Sequence, residues 1–301
     1  MKFKLPTALA AALFFAALTI ISCKKEGSVQ NTAVSDTEAQ TISEENAAAE
    51  AEYDDVTEMG LSAGADLEAV AETNGGGIPG TDVRLGVIVN IDLFTDLRFK
   101  LGPCTKITVE PKDSTFPKTV TIDFGDGCLC RDGKFRKGVV VLTFTAPLRR
   151  PGAVLTVKLN DYYVNRAHIE GVKTISNLSA AGQLKYSVQV EGGKVTWPNG
   201  RGFSYAGIKT VTRISGGDTR TIRDDVYSFE GRAETTYNNG ITVTKNTESP
   251  LIKAVACNWI AQGVLKIKIN DRVVYIDFGN GDCDNKATLK WGNNEVVITL
   301  P

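Results

Sequence analysis

Leu184-Lys185-Tyr186-Ser187-Val188-Gln189-Val190-Glu191 is the stretch that decides the fold. Leu184, Tyr186, Val188 and Val190 fall on one phase, and Lys185, Ser187, Gln189 and Glu191 on the other. A period of two puts one set of side chains on a core and the other toward water. The same alternation recurs upstream, where Leu155, Val157 and Leu159 interleave with Thr156, Lys158 and Asn160. It recurs downstream, where Leu265, Ile267 and Ile269 interleave with Lys266, Lys268 and Asn270. Antiparallel sheets tolerate one wet face, whereas parallel sheets are usually covered on both.

The punctuation between these runs agrees. Gly192-Gly193, Pro198-Asn199-Gly200, Gly216-Gly217-Asp218 and Asn238-Asn239-Gly240 sit where hairpins need residues that accept positive φ. No long helical pattern follows Gly80. Residues 83–301 are long enough for one large core. They are expected to form a single all-β domain, an antiparallel meander of about a dozen strands. Curling into a sandwich or half-barrel would limit exposed edges.

Working outward to the N-terminal side, composition changes. Gly27–Asp82 holds 13 Asp plus Glu, no Lys or Arg, and few large apolar residues. Such a segment buries too little apolar surface to offset chain entropy. Residues 23–82 are therefore expected to be a disordered or partly helical acidic tether, dispensable for folding. Ser43–Met59 has Ala and Glu enough for a helix, with Ser43 as N-cap and Tyr53, Val56 and Met59 sharing a face. Gly75-Gly76-Gly77-Ile78-Pro79-Gly80 reads as a flexible joint. Val83–Pro301 carries 30 Lys plus Arg against 21 Asp plus Glu, so the formal charge of −1 conceals an acidic arm and a basic body of about +9. Such a body suits the arm itself, or anionic envelope glycan and lipopolysaccharide phosphate. No nucleic-acid-binding motif is visible.

Lys2 and Lys4 precede an apolar run, Leu5–Ile21, which ends in Ile20-Ile21-Ser22-Cys23. A basic start, a short apolar region and a small residue at the cut describe a secretory signal peptide over residues 1–22. The alternative, a spanning anchor, is at the short limit for the bilayer and is interrupted by Pro6. The cysteine after the cut resembles a bacterial lipobox. That resemblance implies that Cys23 carries palmitate-type acyl chains and holds the protein to a membrane. Lys24 in place of Asp implies the outer membrane, and Lys24-Lys25-Glu26 resembles a surface-export signal, leaving a periplasmic or a cell-surface face open.

Thr121-Ile122-Asp123-Phe124-Gly125-Asp126-Gly127-Cys128 matches Tyr275-Ile276-Asp277-Phe278-Gly279-Asn280-Gly281-Asp282-Cys283. Each copy follows another cysteine, Cys104 or Cys257. In an oxidising compartment these read as disulfides Cys104–Cys128 and Cys257–Cys283, each contributing roughly 3 kcal/mol by closing its loop. Cys130 is left over, and Cys104–Cys130 is the competing pairing. Asp-Phe-Gly-Asp-Gly resembles the signature of polycystic-kidney-disease-type immunoglobulin-like modules. A closer resemblance, covering most of the chain, is to a group of Gram-negative lipoproteins. They share an acidic Ala-rich arm, the Ile122–Cys128 motif, Asp132-Gly133, Arg136-Lys137-Gly138 and a terminal Gly281–Asn285 segment. It implies envelope attachment and brings no activity with it.

Sites are weakly marked. Asp277, Asn280, Asp282 and Asp284 supply oxygen ligands somewhat as a calcium loop does, but without a closing Glu, and a tight turn explains them as well. No other cofactor is implied. His168 is the only histidine, no Gly-x-Ser-x-Gly elbow is present, and a carboxylate pair such as Asp224 with Glu230 has no local signature. Trp197, Trp259 and Trp291 are candidate stacking platforms for sugar rings, or core packing. Three functions remain. A flat sheet would indicate a structural or interaction lipoprotein, the first choice and not an enzyme. A pocket would indicate a glycan- or lipid-binding protein, and two facing carboxylates in a cleft a hydrolase.

Overall fold

The computed structural model describes residues 35–75 and 94–300, apart from 181, 218 and 220–222. The signal peptide, Cys23 and most of the Gly75–Gly80 joint lie outside the described residues. The alternating segments become one antiparallel sheet. Its strands are β1 (Lys106–Glu110), β2 (Lys118–Asp123), β3 (Cys128–Leu129), β4 (Phe135–Phe144), β5 (Val154–Val164), β6 (Ala167–Asn177), β7 (Lys185–Thr196), β8 (Gly202–Ser215), β9 (Val226–Tyr237), β10 (Thr242–Ala254), β11 (Gln262–Ile269), β12 (Arg272–Asn280), β13 (Lys286–Trp291) and β14 (Asn294–Thr299). Spatial order follows chain order, with β3 a side ladder on β4, so the sheet is a pure meander. It does not close into a barrel, and β1 and β14 are its edges.

Among the described residues two helices accompany it, α1 (Asp36–Gly75) and the short α2 (Thr95–Leu101). The capping pattern Ser35-x-x-Glu38 starts α1, with the Ser35 hydroxyl accepting from the Glu38 N–H at 3.1 Å. Ser43, expected as the cap, lies a full two turns inside and donates to the Ala39 carbonyl at 2.7 Å. The expected 17-residue helix is thus the middle of a 40-residue one, about 60 Å long.

The expectation of a flexible tether is corrected for residues 36–68, the part of it whose side chains the structure describes. Ile42, Tyr53, Val56, Met59 and Leu67 of α1 are all at most 2 % exposed and belong to the same core as the sheet. Within five residues, about 7.5 Å of helix, Glu50 reaches Lys245 on β10 and Asp55 reaches Arg136 on β4. Those strands are six places apart, about 29 Å on a flat sheet. The sheet therefore curls around α1, and the helix fills its concave side. Gly60 and Gly64 let the two approach closely. A Cβ at Gly60 would lie 2.6 Å from Leu155 Cδ2, and one at Gly64 3.0 Å from Leu148. Large apolar residues are sparse in α1 and do not fill this core alone. Small residues and neutralised carboxylates also fill this core.

Candidate functional site

The concave face carries cations in phase with its apolar residues. On β6, Lys173 shares the buried phase with Ile169 and Ile175. On β10, Lys245 and Lys253 share it with Val243 and Leu251. Acidic side chains of α1 meet them. Glu50 accepts from Lys209 at 2.8 Å, Lys245 at 3.0 Å and the Tyr205 hydroxyl at 3.0 Å. Asp54 also pairs with Lys209. Asp55 pairs with Lys100 of α2 at 2.6 Å and with Arg136 at 2.7 Å, and Asp132 grips the same guanidinium through both oxygens. Glu58 bridges Lys100 and Lys253 at 2.9 and 2.5 Å. Burial alone would raise Glu50, Asp55 and Glu58. The adjacent ammonium and guanidinium groups outweigh it and hold all three below the usual carboxylate range.

Beside this ionic layer lies a partly open cleft of ≈ 1000 Å³, a volume that includes the solvent at its opening. Its space comes from small residues, Ala47 and Ala51 on α1 facing Gly207 and Ala233, which are register partners on β8 and β9. A defect in the sheet adjoins it. Between Asn246 and Leu251, β10 spends five steps where β9 spends three, and the ladder is interrupted. Pro250, which has no N–H, sits in this bulge, and the Gly231 N–H donates to the Thr247 hydroxyl at 3.0 Å instead of to a strand carbonyl. The apolar wall is Phe229, Leu251, Leu265 and Phe278, and the loop carrying Trp259 and Ile260 completes it. Glu50, Asp54, Lys173, Lys209 and Lys245 form the polar floor.

Lys173 is the exception in the ionic layer. It is 3 % exposed and donates to the Tyr53 carbonyl of α1, yet no carboxylate lies within ion-pair distance among the described residues. Burial first, and then Lys209, push its ammonium down to about 7.

The disulfides Cys104–Cys128 and Cys257–Cys283 are formed, and Cys130 is buried and unpaired, its thiol pushed up by burial. Cys257–Cys283 staples the loop that carries Trp259 to the turn before β13. The three tryptophans fall in different settings. Trp197 packs edge-on against Phe203 at 5.3 Å, Trp259 lines the cleft, and Trp291 lies under the Arg272 guanidinium at 5.8 Å. Of the four calcium candidates, Asp277 and Asn280 lie in the last part of β12, and Asp282 and Asp284 in the turn to β13. Asp277 accepts from Lys290 at 2.8 Å and from the Gly279 N–H at 3.0 Å, and Asp284 from the Lys286 N–H at 3.0 Å. No metal-ready group of three or more His, Cys, Asp or Glu occurs among the described residues. His168 stacks on Tyr163 with ring centres 4.4 Å apart. Glu230 stands four residues along β9 from Val226, and Asp224 precedes that strand. About 13 Å of strand separates Val226 from Glu230.

Sequence reading missed the α1 carboxylates and Lys173. The signal was present as lysines in the apolar phase of strands, which require a buried anion, in a chain whose surplus anions lie in one segment. No family model matches the chain, and no curated protein or solved structure does so either.

Proposed function

We propose that the chain is an outer-membrane lipoprotein, anchored through an acylated Cys23, whose cleft binds a small amphiphile. The observation that carries the binding role is the cleft itself, with an apolar wall and a charged floor beside the β10 bulge. Binding sites for small molecules have this make-up, mostly apolar with a few convergent polar groups. The lipobox-like Ile20–Cys23 supports the address, and two disulfides suit an oxidising compartment. Membrane attachment comes through the lipid. Envelope glycans or proteins remain partners for the outer face, and no nucleic acid is involved.

The test is displacement of an environment-sensitive naphthylamine probe by alkyl ligands, read by fluorescence on the mature chain. Ala51→Leu, which fills the cleft from a helical position that tolerates Leu, abolishes binding and leaves the circular dichroism unchanged. Undiminished binding by Ala51→Leu refutes the cleft as the site. Cys23→Ala removes the protein from the detergent phase if the anchor is as proposed. One observation favours the structural reading instead. The concavity that carriers leave open is here filled by α1, and a purely structural role predicts that no alkyl ligand binds.

A further inference from the structure

Among the described residues the ionic layer is balanced except at one place. Around the cleft, Glu50 and Asp54 answer Lys209 and Lys245, and Glu58 answers Lys253 and Lys100. Lys173 is left with a backbone carbonyl and the face of Tyr53, whose ring centre is 5.8 Å from Nζ. An ammonium has three donors, and a buried one is costly without a counter-ion. Its register partners on the flanking strands are Val157 and Val190, which bring no charge. From α1 the charged groups facing it are Glu50, Asp54 and Asp55, all engaged with other cations, and from β8 it is Lys209.

Resting on the cleft reading above, we infer that Lys173 is the head-group receptor of the site and that the ligand is a single-chain monocarboxylate. The carboxylate fills the one missing anion of the layer, and the alkyl chain runs along the Phe229–Leu251 wall. One unmatched cation beside two carboxylates suits a monoanion and disfavours a phosphate monoester, whose second charge would face Glu50 and Asp54. Binding keeps Lys173 protonated, so above pH 7 the complex takes up a proton that the free protein lacks.

The experiment is titration calorimetry of the mature chain with octanoate, octanol, octylamine and octyl phosphate, repeated in buffers of different ionisation enthalpy. Octanoate binds at least about tenfold tighter than the other three, since one hydrogen-bonded charge pair outweighs the factor of ten that 1.4 kcal/mol represents. At pH 8 its binding takes up close to one proton, and its affinity falls as pH rises. Lys173→Met loses the octanoate preference and the proton uptake while keeping octanol binding. Lys173→Arg keeps the preference and loses the uptake, because its guanidinium stays charged. Equal affinity for octanol and octanoate, or an unaltered preference in Lys173→Met, overturns the assignment of Lys173 and leaves the cleft standing. Tighter octyl phosphate overturns the monocarboxylate. Binding of none of the four overturns both the receptor and the cleft.

Discussion

Removal of residues 36–75 is the sharpest test of α1 as core. Ile42, Tyr53, Val56, Met59, Leu61 and Leu67 are all buried, none more than 7 % exposed. Full burial of such a side chain contributes about 1.5–3 kcal/mol, so six of them contribute on the order of 10–15 kcal/mol. That equals the whole stability of an ordinary domain, about 5–15 kcal/mol. The shortened chain also leaves Lys209, Lys245 and Lys253 lining an empty apolar trough, where water enters. The expected outcome is loss of the cooperative transition in urea, followed by tryptophan fluorescence, together with strong binding of a hydrophobic dye. Single substitutions scale the effect, with Met59→Ala costing about 2–5 kcal/mol. A shortened chain that melts cooperatively within a few degrees of the intact one would refute the reasoning and restore the tether.

Arg136→Ala takes from Asp132 the guanidinium that grips both its oxygens and leaves Asp55 with Lys100 alone, in a site where the guanidinium was 0 % exposed, and chemical denaturation should show a loss of about 3–5 kcal/mol. Lys173, at about 7 in the folded chain against about 10.4 unfolded, binds fewer protons folded than unfolded between those values. Stability therefore rises with pH across that window by up to about 1.4 kcal/mol per unit, and Lys173→Met flattens the rise in denaturation curves taken from pH 7 to 10. Gly60→Ala gains about 1 kcal/mol of helix propensity but sets a methyl 2.6 Å from Leu155. The melting temperature should fall, and Leu155→Ala in the same chain should make Gly60→Ala less harmful than it is alone.

The sheet was legible because its signal is local. Leu184–Glu191 alternates within eight residues, and β7 (Lys185–Thr196) follows that phase. Asn238-Asn239-Gly240 forms the turn between β9 and β10, with Gly240 at φ 87° where only glycine is comfortable. The disulfides were legible because the motif repeats. The place of α1 was not, because its carboxylates acquire partners only when Arg136, Lys209, Lys245 and Lys253 arrive from residues 81 to 195 positions away. Acidic composition reads as solvation until the cations that answer it are known to point inward. The cleft was hidden for a related reason. Its space is a set of absences, Gly207 and Ala233 facing Ala47 and Ala51, and each small residue alone predicts nothing.

A helix lying along the trough of a curled sheet answers force differently at its two ends. Tension on the N-terminal side draws α1 along its own axis. Its ionic contacts from Asp36–Arg272 to Glu68–Arg149 are then loaded in shear, and many must slip together. Tension on the C-terminal side meets β14, which is paired on one edge only and peels from Thr299 toward Asn294 one rung at a time. The fold is thus mechanically lopsided, tough along α1 and easily unzipped at β14.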